Sequence, residues 1–332
     1  GKDIPDLTLI HADRVPQFAD LDMLEPIEGL MATNTDLSAD NYLEVAWNAG
    51  NYEGTQYTVP LDIHGNAMYY NTDLLDKYDA NTFLDDDVVT IEEILSLDGK
   101  LDEGQYAINN ALIEWVTLAN VVNAGGDISD EAGNPTINTD AMRSVVEQLK
   151  SVADAGLMSP YGEDGYAMFQ SGDVLFSTDG TWTSTAHGSV EGLNFGVTNI
   201  YSVTPDKFTN RSSAHLFSLL NNEDRTDEKE QGVADFLSWM RENSLDWAGA
   251  GQIVASKEVF ESEEYQQYPQ SFFTSSDVEK EASYIFDYKY YSYVESALGT
   301  VLSDMIYGNI TIDEGLDQAQ KTVEDLIAEN AS

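Results

Sequence analysis

Three observations predict an α/β fold for this chain. Apolar residues recur with the 3.6-residue period of a helix in several long segments, short β-branched and aromatic runs read as strands, and the two kinds alternate along the chain. Alternation of this sort belongs to sheets covered by helices. At 332 residues the chain exceeds what one hydrophobic core usually organises, so two domains are expected.

The elements can be justified in order. Leu7 to His11 is a first short strand. Tyr57 to Leu61 is a second, and Pro60, which cannot donate to a ladder, limits it to an edge or a terminus. A polar centre, Asp62 to Asn66, separates it from a run ending in the aromatic pair Tyr69 and Tyr70; Asp62 is expected to cap the local turn, and Asn71-Thr72-Asp73 can cap a following helix. Thr90 with Glu93 and Thr311 with Glu314 have the spacing of capping boxes at helix starts. Further strands are expected at Gln105 to Ile108, Val174 to Ser177, Leu193 to Val197 and His215 to Leu219. Apolar faces mark three helices: Met142, Val145, Val146, Leu149 and Val152; Leu298, Val301, Leu302, Met305 and Ile306; and Ile312, Leu316, Ala319, Val323 and Ile327. Trp239 lies in an amphipathic helix with Phe236 and Met240 and is expected to face a core; Trp47 and Trp247 are likewise expected to be structural.

Composition excludes several functions. Sixty Asp and Glu against 15 Lys and Arg give a formal net charge of -45, which disfavours nucleic acid, because a phosphate backbone needs a basic stripe. The acids are spread along the chain. Self-repulsion of such a surface weakens the compact state in dilute buffer, while molar salt cuts the Debye length to about 3 Å and screens it, so the sequence reads as adapted to high salt, as in a halophile. No run of 18 or more apolar residues offers a membrane span. There is no Cys, hence no disulfide, thiolate metal site or cysteine nucleophile. No H-E-x-x-H, G-x-S-x-G or G-x-x-x-x-G-K-[ST] motif is present, so an enzyme is not expected. No cofactor and no metal site are expected either, Asp127 to Asn138 lacking the ligand spacing of an EF-hand.

Six segments carry a family resemblance, in order along nearly the whole chain: PDLTLIHAD from Pro5 with LEPI from Leu24; YTVPLDIHGNAMYYN from Tyr57; AGGD from Ala124 with EAGN from Glu131; FQSGDVLF from Phe169; DGTW from Asp179; and WAGAGQIVASK from Trp247. Together they resemble the extracellular solute-binding proteins of ABC importers, in the carbohydrate-binding, maltose-binding-protein-like branch (family 1). The resemblance implies an α/β, two-lobed periplasmic-binding-protein-like fold of type II, with a ligand cleft between lobes joined by a hinge. By that analogy lobe one is 1-67 plus 215-290 and lobe two is 68-214 plus 291-332. The family places a strand, a helix and a strand ahead of the segment matching Pro5 to Ile10, and lobe one is expected to lack that unit, either because the sequence is trimmed, the favoured reading, or because the lobe is built without it. The resemblance also implies an exported, cell-surface protein that works with permease subunits, is expected to be a monomer, and touches the membrane only through an N-terminal lipid anchor not present in this chain.

The same resemblance directs attention to sugar recognition. A pyranose presents a hydroxyl rim and weakly apolar faces, so its site needs aromatic platforms together with acids, amides or His. Trp182, after Asp179-Gly180, matches the family's cleft tryptophan, and Trp115 is a second candidate platform. His11, Asp13, His64, Asp179, His215 and Gln252 lie in loops or strand ends aimed at the cleft, and the Tyr288 to Tyr293 cluster adds Tyr290 and Tyr291. None is assigned a catalytic role. Two alternatives stay open: a binder of a phosphorylated or anionic solute such as glycerol phosphate, for which only Arg14, Arg211 and Lys289 are placed, and, more remotely, a glycoside hydrolase, which needs two inward carboxylates.

Overall fold

The computed structural model describes residues 4–205, 208–275 and 283–330, and the mixed α/β class holds throughout them. The chain divides into two compact units: Gly1–His64, Ser212–Ser271 and Ile285–Lys289 form the first, and Gly65–Arg211, Phe272–Tyr284 and Tyr290–Ser332 the second. Residues 272–275 and 283–284 therefore group with the second unit, although the analogy assigned them to lobe one; 276–282 lie outside the described residues.

In the first unit, strand His215–Leu220 is the organiser. It pairs antiparallel with Leu7–His11 from Leu7↔Leu219 to His11↔His215, and on its other side with Thr58–Pro60 and Leu24–Glu25. Pro60 closes its strand, as its missing N–H requires. Leu7–His11 is an edge: among the described residues it has no second strand partner, and Leu9 is 42% exposed. Helix Asp227–Glu242 packs on helix Glu28–Thr33 through Ala234, Leu237 and Ser238, which recur at i, i+3 and i+4 on one face. Trp239 corrects the expectation of a core residue. It is 56% exposed and shares with Phe236 a second apolar stripe that the buried face does not include.

In the second unit, the later part of strand Asp62–Asn71 pairs antiparallel with Val174–Gly180, from Asn66↔Gly180 to Tyr70↔Phe176, and with Phe195–Thr198. Strand Tyr106–Ile108 adds in parallel beside Val174–Gly180. Helices Ile113–Asn123, Asp140–Asp154, Tyr291–Ile306 and Ile312–Asn330 pack together through the apolar positions that the helical period marked, Val145, Leu149, Leu298, Leu302, Leu316 and Val323 among them. The last two helices approach so closely that a Cβ on Gly315 would lie 2.3 Å from the Met305 sulfur. Both capping boxes form: Thr90 with Glu93, and Thr311 with Glu314. No helix among the described residues is long and apolar enough to cross a membrane.

Tyr69 is a core residue. It is fully buried, its hydroxyl donates to the carbonyls of Gly180 and Thr181, and its ring meets His187, Phe169 and Phe195. Tyr70 is half-buried against Gly196.

Candidate functional site

Sheet register builds the polar cluster of the first unit. His11 and His215 are direct cross-strand partners, which brings their side chains together on one face. Leu61, between strands Thr58–Pro60 and Asp62–Asn71, donates its N–H to the His215 carbonyl, so Asp62 follows beside His215. His64 lies two residues on, on the same face as Asp62 because side chains alternate along a strand. His11 Nε2 is 3.2 Å from His215 Nε2, and the three imidazole centroids lie 4.4 to 5.2 Å apart.

Asp62 is the hub of this cluster and not a turn cap. Fully buried, it accepts from the His215 backbone N–H at 2.9 Å, from His215 Nδ1 at 2.8 Å, from His64 Nδ1 at 3.3 Å and from Trp247 Nε1 at 2.6 Å. Burial alone would push its carboxyl up, but the hydrogen bonds from His215 and His64 outweigh it and hold the group well below the usual carboxylate range. Trp247, read as structural from sequence, is a member of the cluster: it donates to Asp62, and its ring meets His215 edge-on. Asp13 is buried, pairs with Arg14 Nε at 3.2 Å and accepts from Ser213 Oγ at 3.4 Å. Gln252 is buried; among the described residues its Oε1 has no hydrogen-bond partner.

The aromatic platform belongs to the second unit. Buried Asn109 ties the loop before helix Ile113–Asn123 to strand Val174–Gly180, accepting from Thr178 N and Oγ1 and donating to Ser177 Oγ at 2.7 Å. Leu112 then adopts a left-handed conformation at φ 48, an uncommon state for a branched residue, and starts the helix that presents Trp115. Trp182 follows the same strand, and the rings of Trp115 and Trp182 meet edge-on at 5.9 Å. Gly180 makes room for this, since a Cβ there would lie 2.2 Å from the Trp182 ring. Both tryptophans are half-buried.

Arg211, missed as a platform residue by the sequence reading, lies with its guanidinium carbon 3.8 Å from the Trp115 ring centroid. Its Nε donates to Tyr291 Oη at 2.8 Å, Glu295 lies 3.6 Å from it, and Trp115 Nε1 donates to the same Glu295 carboxylate. Tyr291, expected from the resemblance near the ligand, is fully buried in this network and supports Arg211; Tyr290 is half-buried and stacks on Tyr293. Asp179 is buried, and burial first, with the charge of Asp164 adding, outweighs its bond from the Gly180 N–H and lifts its pKa to about 6. The fourth histidine, His187, is packed among Tyr69, Tyr166, Phe169 and Phe195 and belongs to the core.

Half-buried rings thus lie beside buried hydrogen-bonding groups in the second unit. The chain belongs to the bacterial extracellular solute-binding protein family, whose model matches residues 1–274. It is 23% identical over 202 residues to the arabinooligosaccharide-binding protein of Halalkalibacterium halodurans, a match that spans 55% of this chain and 42% of that relative. Among solved structures, an ABC substrate-binding protein from Listeria monocytogenes in complex with cycloalternan superimposes with a TM-score of 0.82 at 16% identity, covering 98% of this chain and 86% of the other. UgpB from Mycobacterium tuberculosis in complex with glycerophosphocholine gives 0.79 at 15% identity, covering 100% and 86%. These likenesses establish the α/β solute-binding fold that the motifs implied.

Proposed function

We propose that this chain is the solute-binding component of an ABC importer, capturing a neutral sugar or oligosaccharide outside the cell and delivering it to a membrane permease. No bond in the solute is broken. The observation that carries this reading is the platform of the second unit, in which Trp182 stands edge-on to Trp115 and Asp179 lies on the adjoining strand end. In the second unit Trp182 stacks on a pyranose face and Asp179 serves hydroxyls; in the first unit Asp13, His11, His64, His215 and Gln252 are the candidate hydroxyl partners. Tyr290 adds a ring edge.

A neutral solute is favoured over an anionic one because every cation placed for an anion already has an acid. Arg14 is 3.2 Å from Asp13, Lys289 is 2.9 Å from Asp20, and Arg211 faces Glu295. The names borne by the arabinooligosaccharide-binding relative and the cycloalternan complex support the sugar reading, whereas the glycerophosphocholine complex marks its rival. Membership of an extracellular family supports export, and cell-surface attachment as a monomer completes the proposal. The net charge of -45 supports a working environment of high salt.

Calorimetry in molar salt, with arabino- and α-gluco-oligosaccharides set against glycerol phosphate esters, tests the function. Stacking on an aromatic ring is worth about 1 to 3 kcal/mol per nucleobase, and a sugar face should give no more. Trp182→Ala should therefore weaken sugar binding by roughly tenfold to a hundredfold, at about 1.4 kcal/mol per decade. Unchanged affinity would remove Trp182 from the site, and binding of the phosphate esters alone would replace the sugar reading.

A further inference from the structure

His11, His64 and His215 come from sequence positions far apart, yet each offers a ring nitrogen within 4.8 Å of the others'. Two features of their surroundings go beyond proximity. The first is tautomer control. Because Asp62 receives Nδ1–H from both His64 and His215, the lone pair of each ring falls at Nε2, and a buried carboxylate behind an imidazole is the arrangement that orients metal-ligating histidines. Trp247 and the His215 backbone N–H also donate to this carboxylate, so Asp62 is anchored independently of anything its histidines bind. The second feature is spacing. Zinc–nitrogen bonds of 2.0–2.1 Å at tetrahedral angles put neighbouring ligand nitrogens about 3.3 Å apart, and His11 Nε2 lies 3.2 Å from His215 Nε2.

We propose that His11, His64 and His215 form a three-histidine site for a zinc-class divalent transition ion, with Asp62 as the carboxylate that orients two of the ligands. Imidazole donors select zinc, nickel, cobalt or copper over magnesium and calcium, which take oxygen. Three protein ligands leave a fourth position for water or for a donor atom of a solute. His11 is the exposed member, so the ion enters from its side; His64 is buried and His215 half-buried. The site lies entirely within the first unit and takes the three histidines that the sugar reading sets on ring hydroxyls, so its test reads metal alone, separately from sugar affinity.

The test uses the full chain, stripped with chelator and titrated with Zn2+ alone in molar salt. Excess Mg2+ occupies the acidic surface. One tightly held Zn2+ per chain is expected, and Co2+ in its place should give the strong visible absorption of a tetrahedral nitrogen site. His11→Ala, on an edge strand and exposed, should fold normally and lose that ion, and His215→Ala should do the same. Asp62→Asn should weaken binding by about 10–100-fold, the usual effect of removing an orienting partner. Zn2+ uptake that Mg2+ displaces, or that is unchanged in both His11→Ala and His215→Ala, would mean that surface carboxylates hold the metal and would overturn the site. Melting curves of each variant separate loss of the ion from loss of the fold.

Discussion

Two buried titratable side chains of the second unit pull stability in opposite directions with pH. His187 has no hydrogen-bond partner at either ring nitrogen among the described residues, and burial lowers its pKa from an ordinary 6.5 to about 4. The unfolded chain therefore takes up this proton first, so the His187 contribution is complete above pH 6.5 and is lost as pH falls towards 4, at a cost on the order of 3 kcal/mol. Asp179 works the other way. Its pKa rises from 3.8 to about 6, so stability is complete below 3.8 and drops by a similar amount as pH rises through 6. Across that interval the two nearly offset each other, and single substitutions should unmask them. Asp179→Asn, which keeps an acceptor for the Gly180 N–H, should raise the melting temperature at about pH 7.5 and leave it unchanged below pH 4. The stability of His187→Phe relative to the parent should improve as pH is lowered from about 7.5 to 4.5. Differences that do not vary with pH would show that neither group titrates as its burial implies.

At the level of elements, what the sequence made legible was local. Capping boxes involve residues three apart, and the helix faces at Met142–Val152 and Ile312–Ile327 repeat within a few turns, so both were visible without tertiary information. Trp239 was misread because two apolar stripes on one helix look alike in a periodicity argument, and packing against Glu28–Thr33 selects only the Ala234–Leu237–Ser238 face. Trp239→Ala should accordingly change stability by no more than about 0.5 kcal/mol, while Leu237→Ala should cost about 2–5 kcal/mol; comparable losses in chemical denaturation would place Trp239 back in a core. The site was legible only in part. Trp115, Trp182 and the three histidines were identifiable as residue types in suggestive places, but the role of Asp62 depends on a contact with His215 across 153 residues, and that of Arg211 on the helix that carries Tyr291 and Glu295. Neither leaves a periodic trace.

For the whole molecule, charge is the dominant quantity. With 60 acids and 15 bases, local ion pairs can neutralise only a minority of the carboxylates, and those that form are mostly exposed, such as Lys321–Asp325 and Lys150–Asp154, each worth little. On the proposed high-salt reading, screening by dissolved salt supplies the rest. Dialysis from 3 M to 0.1 M KCl should lower the melting temperature substantially, because the Debye length grows from under 3 Å to about 10 Å and distant acids begin to repel. Equal melting temperatures at the two concentrations would refute adaptation to high salt.

The pairing of His11 with His215 has a further consequence, for the order in which the chain acquires its structure. The first strand emerges from the ribosome early, but its partner is 204 residues away. Among the described residues the strand partner of Leu7–His11 is His215–Leu220, so this pairing waits for a distant segment, whereas Gly65–Arg211 is one continuous stretch that already contains the second unit's central pairings. Contacts between sequence-distant segments form late because the loop that joins them must first be closed. Pulse-labelling hydrogen exchange during refolding should therefore find amides of Val174–Gly180 protected before those of Leu7–His11. The histidine cluster, for all its early first member, would be among the last features of the molecule to assemble.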